Sequence, residues 1–495
     1  MTKDLTSNAL ANVAQVLASG GLLFALYRYI NTTLGVEQLG VWSVVLAAVS
    51  ASRLVDLGLS PGVTRFVARD LAQNNPDRVG QVIDTVTLTL MIALGGILPL
   101  FYPLLVWLLP HLLKAEHLAQ ALALLPYALA SLWLTMVAAV FQGGLDGCQR
   151  MGLRATVVVT GHALLLALAV WLVPQHGLVG LAWAQLGQGL FVLVVSWLVL
   201  RRALPVITWL PRRWCWGVLR EMLGYGLNVQ AATVFMLIFD PLAKALMARF
   251  GGPAAAGYFE MASQVVMRIR SLIVTANQAI VPHVAAFTEG ETAQLANFYR
   301  TNMRVLIYVV LPTFALVVAW GGGFSLLLTG GYEPEFVFLL NLLATAWAFN
   351  IFAGPAYFTN MGIGQVGWNT LSHIIIGVLN AGLGWLLGNQ FGANGVAIAY
   401  AIALVTGSTF LIVVSHRRNG VGWCGILSRD NLWLAAACAV VGALGWIVQL
   451  QPRAGSTVTL AAAYLLPALV LGLAVWFHPM RHQLRSWLSR GEVRA

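Results

Sequence analysis

The sequence predicts an all-α polytopic membrane protein with fourteen transmembrane helices. They form two six-helix lobes related by a pseudo-two-fold axis along the membrane normal, plus two extra C-terminal helices. Three observations carry this. Of 495 residues, 59% are hydrophobic and 9% charged, against about 25% charged in soluble domains, and apolar runs long enough to cross a bilayer recur from end to end. The basic residues gather in alternate connections. Landmark residues recur at an almost constant spacing.

The expected spans are roughly 8–30, 39–60, 83–109, 118–140, 153–174, 178–200, 225–248, 257–283, 303–322, 335–358, 370–389, 394–415, 432–450 and 457–478. Their unbroken apolarity excludes a transmembrane β-barrel, whose strands alternate in polarity. The first run is itself long enough to span, so no cleavable signal is expected. An even number of spans puts both termini on one side. Of 28 Lys and Arg, 20 fall on that side, 3 (Lys114, Arg249, Arg453) on the other, and 5 inside spans. The positive-inside rule makes the basic side cytoplasmic. The net charge of +11 then reflects basic cytoplasmic loops, and no nucleic-acid partner is expected. In the connection 61–82, Val63, Phe66, Val67 and Leu71 oppose Arg65, Arg69 and Asp70, an amphipathic helix suited to the inner leaflet. Cys148, Cys215, Cys424 and Cys438 form no metal-ligand spacing.

The repeat is read from seven landmarks. Asn12-Val13 recurs as Asn228-Val229, Arg28 falls on Lys244, and Leu34-Gly35 on Phe250-Gly251, all at an offset of 216. After one inserted residue, Gly40-Val-Trp42 matches Gly257-Tyr-Phe259 and Arg53 lands on Arg270, at 217. Gly177-Leu-Val-Gly180 matches Gly392-Ala-Asn-Gly395, and Arg202 matches Arg417, at 215. The lobes are therefore 1–215 and 216–430, with 431–495 holding the extra pair and the tail. Six spans per copy keep both copies in one orientation, which places a binding site between lobes.

Charges inside spans carry the functional signal. A charge at mid-bilayer costs roughly 2.5–3.5 kcal/mol, so it pairs or faces a wet cavity. Five cations (Arg28, Arg53, Lys244, Arg268, Arg270) face three carboxylates (Asp56, Asp240, Glu260). Two bland alternatives remain open: Arg53–Asp56 and Asp240–Lys244 as internal helical pairs, and Arg28 and Lys244 snorkelling outward. Arg53 and Arg270 sit deeper, and the planar guanidinium fork matches phosphate oxygens. Two such forks would suit a diphosphate. Asn12, Asn228, Asn369, Asn380 and Gln185 could contact sugar hydroxyls or bond neighbouring helices. No G-x-x-x-x-G-K-[ST], H-E-x-x-H or nucleophile elbow is present.

The stretches Asp56-Leu-Gly-Leu-Ser-Pro-Gly-Val-Thr-Arg-Phe-Val-Ala68, Leu34-Gly-Val-Glu-Gln-Leu-Gly-Val-Trp42 and Gly330-Gly-Tyr-Glu333, with the six-plus-six-plus-two layout, resemble the polysaccharide-transport branch of the MOP exporter superfamily, the Wzx-type O-antigen flippases. The resemblance implies a flippase, not an enzyme, in the bacterial inner membrane. It would move undecaprenyl-diphosphate-linked oligosaccharide between leaflets, beside membrane lipids and polysaccharide polymerase or assembly proteins. It implies a cationic cavity with Arg28, Arg53 and Arg270, aided by Arg268, Lys244, Asn12 and Asn228, and charge coupling through Asp56, Asp240 and Glu260. Spans 13 and 14 would form a groove for the lipid tail. It requires no cofactor beyond a coupling ion, proton or sodium, with Asp240, Asn380 and Thr406 as the candidate sodium ligands. The related alternatives are a lipid II flippase or a multidrug antiporter, which would favour cavity carboxylates over arginines. A glycan polymerase or ligase needs a large outer loop, and a major facilitator needs a G-x-x-x-D-x-x-G-R-[RK] motif; the sequence has neither.

Overall fold

The computed structural model describes residues 2–277, 292–418, 420–422, 426, 428–450 and 457–483, and among these it is helical with no strand. In order come α1 (Thr2–Leu34), α2 (Val36–Ser50), a 3-10 turn (Ala51–Asp56), α3 (Leu59–Ala72), α4 (Pro76–Leu108), α5 (Ala115–Gly147), α6 (Met151–Ala203) and α7 (Trp216–Asn277). Then follow α8 (Thr292–Ala319), α9 (Gly321–Thr329), α10 (Pro334–Phe352), α11 (Gly354–Gly362), α12 (Gly367–Arg418), α13 (Arg429–Leu450) and α14 (Thr457–Phe477). Nine helical stretches among the described residues are long and apolar enough to cross a membrane. The chain is a multi-pass membrane protein.

Three helices, α6, α7 and α12, have 53, 62 and 52 residues. At 1.5 Å per residue each far exceeds the roughly 30 Å hydrocarbon core, and each folds back at a glycine. α6 breaks at Gly177 (φ 58°, ψ −135°) and α12 at Gly392 (φ 62°, ψ −144°), a conformation open essentially to glycine alone. Just beyond, Gly180 lies against the Leu172 carbonyl and Gly395 against that of Leu387, leaving no room for a Cβ. Leu172 and Leu387 also stand 215 apart, the spacing at which Gly177 and Gly392 recur. α7 breaks at Gly252 (φ 79°, ψ 177°), and Gly35, between α1 and α2, has φ 87° and ψ 163°. The counterpart of Gly35 is therefore Gly252 rather than Gly251: the inserted residue precedes this turn.

The chain divides into two units, Met1–Glu260 and Met261–Ala495. The first extends past residue 215 because the start of α7 packs on the α2–α3 region. Gly40 meets the Pro253 carbonyl, Gly257 meets Val36 and the Gly40 backbone nitrogen, and Gly58 meets Gly226; a Cβ at any of these glycines would collide. In the second unit, Tyr308, Leu434, Cys438, Val441 and Leu471 form a core joining α8, α13 and α14. Tyr308 Oη donates to the Val475 carbonyl at 3.1 Å, and Trp320 Nε1 to that of Tyr464 at 2.9 Å.

The amphipathic helix α3 is present, but its apolar face is buried in protein. Val63, Phe66 and Val67 are at most 4% exposed. Gly143 and Gly147 of α5 approach Val63, Thr64 and Val67 so closely that side chains there would clash. The pattern is the same for a leaflet or a neighbouring helix; the two glycines, 80 residues away, decide which.

Candidate functional site

In the first unit, α2 ends at Ser50 and the chain tightens into the 3-10 turn Ala51–Asp56. Leu57 (φ 49°) and Gly58 (φ 74°) are both left-handed, and α3 then starts. Arg53 lies on this break and is exposed. Among the described residues it makes no hydrogen bond, ion pair or ring contact. The Arg53–Asp56 pair does not form. Asp56 is buried and its Oδ1 accepts from the Ser60 backbone nitrogen (3.1 Å) and hydroxyl (2.7 Å). It thereby satisfies one of the unpaired N–H groups at the start of α3.

A second cluster joins α1, α2 and both legs of α7. Lys244 Nζ lies 2.7 Å from Glu260 Oε2 and 3.7 Å from Asp240 Oδ2. Tyr27 Oη donates to Glu260 Oε1 at 2.7 Å, and Ser43 Oγ to Oε2 at 3.1 Å. This cation is charge-compensated. Asp240 therefore already faces a cation within its own unit, which fits a sodium ion poorly. Arg28, the repeat mate of Lys244, is exposed on α1. Asn12 accepts from Arg154 Nη2 at 2.8 Å while Arg154 pairs with Asp146 at 2.9 Å, fastening α1 to α5 and α6.

In the second unit, the half-buried Arg270 guanidinium stands 4.6 Å from the centre of the Trp347 ring, a cation–π contact that holds it. Arg268 reaches Gln264 one turn earlier at 3.4 Å. Asn380 is buried on the first leg of α12 and Thr406 exposed on the second. Asn369 bonds Asn360 and the Tyr357 carbonyl, at 2.9 and 3.0 Å. The side chain of Asn228 lies outside the described residues.

Tyr27, Ser43 and Trp347 were not singled out from the sequence. For Ser43 a signal existed: it stands 217 positions before Glu260, the repeat offset itself.

The sequence profile described as polysaccharide biosynthesis protein matches residues 5–287. Comparison with curated proteins gives no match. Among solved structures, the lipid II flippase MurJ in an inward closed conformation superposes with a TM-score of 0.74 at 11% identity, covering 99% of this chain and 100% of that one. An inward-facing multidrug resistance MATE family transporter of the MOP superfamily gives 0.68 at 16% identity, covering 82% and 94%. A MOP superfamily transporter from Pyrococcus furiosus Vc1 with reverse polarity of its binding pocket gives 0.59 at 17%, covering 83% and 95%. At these identities the likeness establishes the fold. With more than half the chain matched by the profile, this protein belongs to the polysaccharide biosynthesis protein family.

Proposed function

We propose that the protein is a flippase carrying an undecaprenyl-diphosphate-linked oligosaccharide, an O-antigen or other polysaccharide repeat unit, from the inner to the outer leaflet of a bacterial inner membrane. The observation that carries this is Arg53: an exposed guanidinium on a helix break, without a partner among the described residues, in a chain of a polysaccharide biosynthesis family. An intramembrane cation left unpaired is retained for a ligand, and a guanidinium presents a fork matched to phosphate oxygens. Arg270, stacked on Trp347, is the second diphosphate ligand in this reading, and Arg28 an auxiliary cation. Lys244, Asp240 and Glu260 brace the fold.

Fourteen crossings are inferred by counting both legs of α6, α7 and α12, together with α14. The 20 to 3 distribution of basic residues supports cytoplasmic termini. The cargo moves by alternating access, driven by the membrane potential or a coupling ion. An inside-negative potential favours outward movement of a diphosphate by about 2.3 kcal/mol per charge per 100 mV. The multidrug-antiporter reading is supported by the MATE fold but needs an available carboxylate, and Glu260 is already compensated by Lys244.

Mass spectrometry of lipid co-purified with the native protein tests the reading. A polyprenyl-diphosphate glycan retained by the wild type and lost in Arg53→Ala supports it. Retention of the glycan by a variant lacking both Arg53 and Arg270 contradicts it.

A further inference from the structure

We propose that the linker between the repeats, residues 204–215, is a binding site for the headgroup of an anionic phospholipid. The linker has no helix of its own, yet α4 holds it in place. Asp84 Oδ2 accepts from the backbone nitrogens of Arg212 and Arg213, both at 3.3 Å. Thr85 Oγ1 donates to the Arg213 carbonyl (3.1 Å) and accepts from the Cys215 nitrogen (3.2 Å). Trp214 Nε1 donates to Thr89 Oγ1 at 3.1 Å. Ile207 is buried beneath.

This docking points large apolar groups outward. Trp209, Leu210, Trp214 and Trp216 are 66%, 60%, 51% and 59% exposed. Arginines interleave with them. The Arg201 guanidinium lies 3.3 Å from the centre of the Trp209 ring. Arg202 and Arg212 are exposed and make no side-chain bond among the described residues. Arg213 reaches Asp77 at 3.7 Å, and the next carboxylate along the chain, Glu221, is held by Arg69 and Arg78. The patch is therefore cationic and apolar at once. Tryptophan prefers the headgroup level of a bilayer, and basic side chains there attract anionic lipid. A soluble acidic partner would meet the arginines but gain nothing from rings arranged to enter a lipid surface.

The test uses the full-length protein in neutral detergent and titrates phosphatidylglycerol or phosphatidylcholine of identical acyl chains, reading binding by native mass spectrometry. Wild type should bind phosphatidylglycerol more tightly. Arg202→Gln with Arg212→Gln, which breaks no side-chain hydrogen bond or ion pair among the described residues, should weaken that binding about fivefold per arginine and leave phosphatidylcholine unchanged. Arg202→Lys with Arg212→Lys should retain most of it. Equal binding of the two lipids by wild type, or undiminished phosphatidylglycerol binding by the double glutamine variant, overturns the proposal. A soluble acidic peptide that displaces phosphatidylglycerol from wild type in the same titration also overturns it.

Discussion

Ser43 donates a hydrogen bond to Glu260 at 3.1 Å, and the two residues occupy equivalent positions of the internal repeat, 217 apart. One turn earlier in each copy, Gly40 and Gly257 meet backbone to backbone. The carboxylate placed there holds Lys244, Tyr27 and Ser43 together.

Because the Lys244 and Glu260 side chains are only 16% and 8% exposed, removing Glu260 leaves Lys244 the longer contact to Asp240, and removing Lys244 leaves a buried carboxylate without this cation. Lys244→Met or Glu260→Gln alone should each cost about 3–5 kcal/mol, and the double variant should recover most of it. A thermal-unfolding double-mutant cycle in detergent checks this; additive losses would show that the pair is not coupled.

Asp56 and Arg53 should separate cleanly. Asp56→Ala removes two hydrogen bonds at the start of α3 and should cost about 1–2 kcal/mol. Arg53→Ala removes no hydrogen bond, ion pair or ring contact among the described residues and should leave the melting temperature unchanged or higher. A comparable loss of stability from Arg53→Ala would return it to a structural role.

The hairpin turns of α6 and α12 should respond alike. Gly177→Ala and Gly392→Ala force a side chain into the same disallowed conformation and should each cost about 1–3 kcal/mol. Gly21, helical and with nothing within 4 Å of its would-be Cβ, should tolerate alanine or gain stability. Unfolding midpoints of the three variants measure the contrast.

Ahead of the 225–248 span, Glu221 takes hydrogen bonds from Arg69 and Arg78, each at 2.6 Å. The Arg69 bond, above all, holds its carboxyl below the usual glutamate range. A lowered folded value adds stability above the unfolded value, about 4.3, and loses it as pH falls through the folded value. Wild type should therefore be more stable than Glu221→Gln at pH 7, and the gap should close below about pH 4.3. These side chains are partly exposed, so high salt should narrow the gap as well. Melting curves across pH and salt read both effects.

What the sequence made legible was what period and composition encode. The apolar runs gave the helices, and the glycines at Gly177 and Gly392, 215 apart in the chain, mark matching turns in α6 and α12. Partnership was harder. A helical reading places Arg53 beside Asp56, but the 3-10 turn and the left-handed Leu57 redirect Asp56 to Ser60. Glu260 and Asp240 were visible as carboxylates, yet that Glu260 joins Lys244 to α1 and α2 depends on the fold-back at Gly252. The one-residue shift of the repeat at that turn was hidden because Gly251 and Gly252 are adjacent glycines, and only backbone angles distinguish them.

In the proposed mechanism Arg53 and Arg270 bind the diphosphate, and transport by purified protein in liposomes measures that most directly. A fluorescent polyprenyl-diphosphate glycan in one leaflet, with a membrane potential imposed, should be transferred by wild type. Losing one charge-assisted hydrogen bond costs about 1.5–3 kcal/mol, roughly 10–150-fold in affinity. Arg53→Ala and Arg270→Ala should therefore transfer little at subsaturating lipid while expressing and melting normally, and the lysine variants should recover only part of the rate. Near-wild-type transfer by both alanine variants, at normal expression, would contradict the account.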